Sequence, residues 1–173
     1  MGLRKNMITA LLIALGFILR QVVPGSIGGM SFDIVLSMMF ICLIIDESFK
    51  GALLTAFLGG VITAMTTTFP GGQIPNLIDK IVTCIVLFLV IKIMGHLKNN
   101  IIGVGILAFI GTIVSGGVFL LSASYLVGLP APLKALFIGV VLPATIMNIG
   151  ITVVVYKAVK VSLKALGLHY IHE

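Results

Sequence analysis

In a chain that is 60% hydrophobic and only 9% charged, the residues able to do chemistry gather in one short stretch, FPGGQIPNLIDK, residues 69–80. It holds two amide side chains, Gln73 and Asn76, followed by an adjacent acid and base, Asp79 and Lys80. One anion, one cation, an amide-rich loop and the positive N-terminal end of a helix together suit a zwitterion such as an amino acid. A carboxylate would meet Lys80 and the helix N-terminus, and an ammonium would meet Asp79. The simpler reading is a capping box, with Asn76 as N-cap and Asp79 three residues later folding back on it. Capping does not need Gln73 or Lys80, and Asn76 and Lys80, four apart, share a helix face.

A second polar cluster is expected to face the first. The joint VVPGSIGGMSFD is preceded by Arg20 and ends on Asp33, with Met30 and Phe32 beside it. Asp33 complementing a helix N-terminus and Arg20 reaching for the membrane interface are the favoured readings of those two. Met30, Phe32 and Phe69 would form an apolar wall under the loops. Further along, Gly111 and Ser115 form a small-x-x-x-small pair that lets another helix or a ligand approach closely, with helix packing the favoured role. Pro143 cannot donate to the carbonyl of Gly139. Asn148, a turn and a half further on, either staples two helices or reaches the site.

Other chemistry is missing from the sequence. There is no phosphate-cradling G-x-x-x-x-G-K-[ST] loop, no H-E-x-x-H zinc site and no G-x-S-x-G elbow, so no enzyme and no cofactor is expected. GVGILA, residues 103–108, opens an apolar run instead of following a strand, so its glycines read as packing. Cys42 and Cys84 lie inside apolar runs without metal-ligand spacing and read as small core residues. His169 and His172, two histidines without a third ligand, read as part of a solvated tail.

The elements that must position these residues follow from the solvent. A mean hydropathy of +1.28 over 173 residues implies an all-α integral membrane protein, because in lipid an unpaired backbone group has no partner and long apolar runs must be helices. Six runs are expected, at roughly 7–23, 31–45, 50–67, 77–95, 101–127 and 133–157, forming one domain over residues 1–173. The joints are short, so neighbouring helices run antiparallel. The second run is too short to cross comfortably by itself. Pro70, Gly71, Gly72 and Pro75 are expected to keep residues 70–75 out of helix.

The N-terminal run could pass for a signal peptide, but five more spans follow and no small-x-small cleavage site ends it. With the N-terminus inside, Arg4, Lys5, Lys50, Lys92, Lys98, Lys157, Lys160 and Lys164 lie on the inner side, and Arg20, Lys80 and Lys134 on the outer side. That bias places both termini in the cytoplasm and the polar mouth outside. It also accounts for the net charge of +6 without nucleic acid. Ala10, Ala14 and Gly16 make a smooth stripe on the first helix, which by itself suggests packing within the bundle.

In order and spacing, IGGMSFD, FPGGQIPNLIDK, GTIVSG and VVLPATIMN resemble the TrpP family of bacterial tryptophan transporters. These look like the substrate-binding S-components of energy-coupling factor (ECF) transporters. The resemblance covers essentially the whole chain, and G-Q-I-P-N-x-I-D-K is its most specific part. It implies a compact six-helix bundle in the bacterial plasma membrane that captures tryptophan from outside and works with a transmembrane coupling protein and ATPase subunits. Ala10 and Ala14 match the A-x-x-x-A stripe with which such components dock on the coupling protein, which reverses the packing preference for the first helix. For tryptophan, Lys80 would supply the cation, Asp79 the anion, Phe32, Met30 and Phe69 the apolar slot, and Gln73 or Asn148 an acceptor for the indole N–H. Two alternatives stand beside this reading: an ion-coupled carrier of tryptophan or a related aromatic nutrient, with Asp33 or Asp79 as coupling carboxylate, and a membrane scaffold with no small ligand.

Overall fold

The computed structural model describes residues 2–22, 33–95, 97 and 100–167. Among these residues the regular structure is helical: α1 (Leu3–Val22), α2 (Ile34–Ile45), α3 (Phe49–Met65), α4 (Gln73–Met94), α5 (Ile101–Leu126) and α6 (Leu133–Ala165), the last interrupted by a π turn at Phe137–Val141. By length and composition α1, α5 and α6 are each able to cross a membrane; α2 and α3 are shorter apolar helices. The helices alternate in direction. One end of the bundle, here called upper, collects the C-terminal ends of α1, α3 and α5 and the N-terminal ends of α2, α4 and α6; at the other, lower end, Lys5 approaches Asp46 and Phe49 stacks edge-on against Phe88.

α2 is the axis. All twelve of its residues are buried, and it packs against every other helix. Three consecutive side chains show how. Successive residues of a helix point about 100° apart, so Met38 lies against Gly16 of α1, Met39 against Gly59 of α3 and Phe40 against Gly111 of α5. A Cβ at Gly16 would stand 2.9 Å from Met38 Cγ, and one at Gly111 2.6 Å from the Phe40 ring. Glycine lets each neighbouring backbone close on the central helix, as small residues do wherever membrane helices pack. The expected packing role of Gly111 is therefore observed, while its partner in the small-x-x-x-small pair, Ser115, one turn further along the same face, hydrogen-bonds Lys80 and Asp79.

At 12 residues α2 rises only about 18 Å, well short of the roughly 30 Å of hydrocarbon. Its N-terminal end stops inside the bundle, at Asp33, whose Oδ1 caps it by accepting from Leu36 N at 3.0 Å. The space beyond this end is where the polar residues meet.

The start of α4 differs from expectation. The helix begins at Gln73, with Gly72 as N-cap, and takes Pro75 into its first turn. Proline is tolerated there because the first N–H groups of a helix lack intrahelical acceptors anyway. The reversal before it is made by Gly71, at φ +69°, where a Cβ would also come within 2.7 Å of Val127. At the other end of the chain α6 runs to Ala165, beyond the expected boundary. Cys42 and Cys84 are free and buried among apolar neighbours.

Candidate functional site

Lys80 is 1% exposed, and each of its three ammonium hydrogens has an acceptor. Nζ donates to Asp33 Oδ2 at 2.7 Å, to Asp79 Oδ2 at 2.8 Å and to Ser115 Oγ at 3.2 Å. Asp79 is as fully engaged. Its Oδ2 also accepts from Ser115 Oγ at 2.9 Å, and its Oδ1 accepts from Thr83 Oγ1, one turn further along α4, at 2.9 Å. α2, α4 and α5 are thus tied together by one closed network, and ion pairs removed from water persist only when their remaining hydrogen-bonding capacity is satisfied in this way.

Arg20, at the end of α1, is held far more loosely. Its guanidinium stands 3.8 Å from Asp33 Oδ1 and donates to the Thr66 carbonyl at a long 3.4 Å. Arginine carries five N–H donors, so this cation keeps hydrogen-bonding capacity that Lys80 has spent. Asp33 stands between two cations, 2.7 Å from Lys80 Nζ and 3.8 Å from the Arg20 guanidinium. Arg20, Lys80, Asp33 and Asp79 together sum to zero charge.

These four residues border a cavity of about 290 Å³, near the lower end of the roughly 300–1,000 Å³ typical of small-molecule sites. Leu36 of α2 lies at its floor. From the joint before α4, Phe69 meets Phe119 of α5 edge to face, with ring centroids 5.5 Å apart at 86°. Thr112, Ser115, Gly116, Phe119 and Leu120 of α5 line it at helical spacing, and Leu136, Val140, Val141, Ala144 and Asn148 do so from α6. The α6 wall includes the π turn, in which Leu142 N reaches back to Phe137 O. This extra residue per turn absorbs the donor that Pro143 lacks and presses Val141 onto Gly116, where a Cβ would stand 2.5 Å from Val141 Cγ1.

The expected site residues separate into groups. Asp79, Lys80, Asn76, Arg20, Asp33, Phe69 and Asn148 all line the cavity. Gln73 does not: as the first residue of α4 it is exposed. The capping box is not formed, because Asn76 sits inside the first turn, where its Nδ2 donates to Gly72 O at 2.8 Å, and both oxygens of Asp79 are engaged elsewhere. Asp33 does cap its helix, and it also joins the Lys80 network. Met30 and Phe32 lie outside the described residues, as do His169 and His172. Ala10 and Ala14 sit on an exposed face of α1 instead of packing inside the bundle. Sequence reasoning missed Thr83, Thr112 and Phe119, and for Ser115 favoured packing over contact with a ligand. The recurrence of Thr112, Ser115 and Phe119 on one face of an otherwise apolar α5 was the available signal.

A family model described as the tryptophan transporter TrpP matches residues 2–164. Three relatives, each bearing the name "Probable tryptophan transport protein", align along nearly their whole length. That of Clostridium acetobutylicum is 43% identical over 95% of this chain and 96% of its own, and that of Clostridium perfringens 41% over 97% and 100%. That of Bacillus subtilis is 38% identical over 95% of each. No solved structure is a significant match.

Proposed function

The chain belongs to the TrpP family of tryptophan transporters, and from that premise we propose that the cavity above α2 is the place where this membrane protein binds tryptophan for uptake. The observation that carries the reading is the contrast between the two cations on its edge. Lys80 has no donor left, whereas the Arg20 guanidinium keeps free N–H groups beside the exposed side of Asp33. The substrate carboxylate therefore goes to Arg20, which can grip it through paired N–H groups, and the ammonium to Asp33. Lys80 and Asp79 act as a strut that holds Asp33 in place. The indole occupies the apolar part of the cavity, where edge contacts with Phe69 and Phe119 contribute about 0.5–1.5 kcal/mol each beyond burial.

Six membrane crossings with both termini cytoplasmic agree with the excess of Lys and Arg at the lower end, and this orientation opens the site outward. Partnership with an ECF coupling protein and its ATPases is supported by the exposed Ala10 and Ala14 on α1 and by the absence of a phosphate-binding loop. An ion-coupled carrier is the competing mode, with Asp33 as the ionisable group at the cavity edge. Reconstituted protein alone, supplied with an ion gradient, accumulates tryptophan only in that second mode.

Binding has a direct assay, since the chain contains no tryptophan. Excited near the red edge of indole absorption, the purified protein is nearly dark and added tryptophan reports its own transfer from water. A saturable blue shift is expected in wild-type protein, moved to about 10- to 100-fold higher tryptophan concentration in Arg20→Gln. Absence of any shift in wild-type protein would refute tryptophan as ligand.

A further inference from the structure

Among the described residues, Asn148 is the one on the cavity wall with a buried side-chain oxygen that no hydrogen bond satisfies. It is 1% exposed. Its Nδ2 donates to Thr112 Oγ1 at a long 3.4 Å, and its Oδ1 has no hydrogen-bond partner. The other buried side-chain oxygens in that condition, on Asn6 and Asp46, do not border the cavity. Buried polar groups are nearly always paired, so an orphaned acceptor on a cavity wall calls for an explanation.

Its position supplies one. α5 and α6 run in opposite directions past the cavity, and Thr112 and Asn148 are its lowest lining residues on each. They stand on the far side of Ser115 and Ala144 from Arg20 and Asp33. A zwitterion held at the upper edge would send its side chain toward this lower end. The only polar atom of an indole is a ring N–H, which donates and cannot accept. Asn148 Oδ1 accepts and cannot donate.

We propose that Asn148 is the specificity-determining residue of the site, its Oδ1 accepting the indole N–H and its amide held in place by Thr112. The assignment rests on the reading that the cavity binds tryptophan. The physical reason for selectivity is that a ligand of the same shape without that N–H would bury the oxygen unpaired, which is how sites built around a hydrogen bond reject analogues lacking it.

The test compares three ligands on full-length purified protein. They are tryptophan, 1-methyltryptophan, and 3-benzothienylalanine, in which sulfur replaces the ring N–H with little change of shape; the last is read by displacement of tryptophan. In wild-type protein both analogues are expected to bind on the order of 10- to 100-fold more weakly than tryptophan. In Asn148→Leu, tryptophan should weaken by a similar factor while benzothienylalanine stays within about twofold of its wild-type affinity, so discrimination collapses. Wild-type protein that binds tryptophan and benzothienylalanine equally overturns the proposal without any variant. So does an Asn148→Leu protein that loses both ligands in proportion, since that is the mark of a purely structural residue. Wild-type protein that binds none of the three refutes the tryptophan site itself, a different failure.

Discussion

The two ends of the bundle each bury a carboxylate near a lysine, and they do so in different ways. At the lower end Asp46, 4% exposed, is held locally: its Oδ1 accepts from Ser48 N at 3.2 Å, Gly51 leaves room for its side chain, and Lys5 stands 4.0 Å away, one-third exposed. Within six residues of chain Asp46 closes the α2–α3 joint. At the upper end Asp33 and Asp79 meet one lysine from separate helices, 47 and 1 residues away in sequence, and α5 adds a serine. A local contact shapes a turn. A network drawn from three helices fixes their relative positions, and here it does so at the edge of a cavity.

The strongest test of that contrast is Lys80→Met, which leaves two carboxylates facing each other without their cation. Removing one partner of a buried ion pair costs about 3–5 kcal/mol, so the variant should melt far below wild type in detergent or fail to accumulate. Asp46→Asn at the lower end should cost about 1 kcal/mol or less. Equal melting temperatures for the two variants would erase the distinction.

Arg20→Gln separates the strut from the grip. Its contacts within the protein are long, so stability should change by less than about 1 kcal/mol, while tryptophan affinity falls on the order of 10- to 100-fold with the loss of charged hydrogen bonds. A large drop in melting temperature with unchanged affinity would exchange the roles assigned to Arg20 and Lys80.

Phe119→Leu should have the smallest effect. It removes the edge-to-face partner of Phe69 but keeps an apolar wall, for a loss of about 2- to 10-fold in affinity, read by the same fluorescence titration. No change would place the indole away from these rings.

Much of this was legible before any coordinates. Composition and run length identified the helices, although the last runs from the expected end at 157 on to Ala165, and cost alone marked Asp79 and Lys80, since charges at such depth need a reason. The faces of the helices were not legible. In a soluble protein apolar spacing reveals the buried side, but lipid is as apolar as a core, so Leu11, Phe57 and Ile93, all outward, look no different in sequence from Ile13, Phe40 and Ile91, all buried. Asp33 was read as a helix cap, and it is one; its second oxygen, on Lys80, was invisible because nothing local encodes a contact across 47 residues. Gln73 lies off the cavity and Asp79 does not cap the helix because α4 starts four residues earlier than its prolines suggested.

The sequence by itself determined that the chain is a helical membrane protein, that Asp79 and Lys80 stand together beside an amide-rich turn, and which family it belongs to. Those properties depend on composition, run length and local order, which survive in one dimension. Tertiary structure decided that α2 is the axis, that it ends short beside a cavity, that Lys80 is spent while Arg20 keeps spare donors, and that Asn148 holds an unpaired oxygen. Each of these is a matter of which donor finds which acceptor once separate helices are packed, and hydrogen-bond capacity is settled only by that packing.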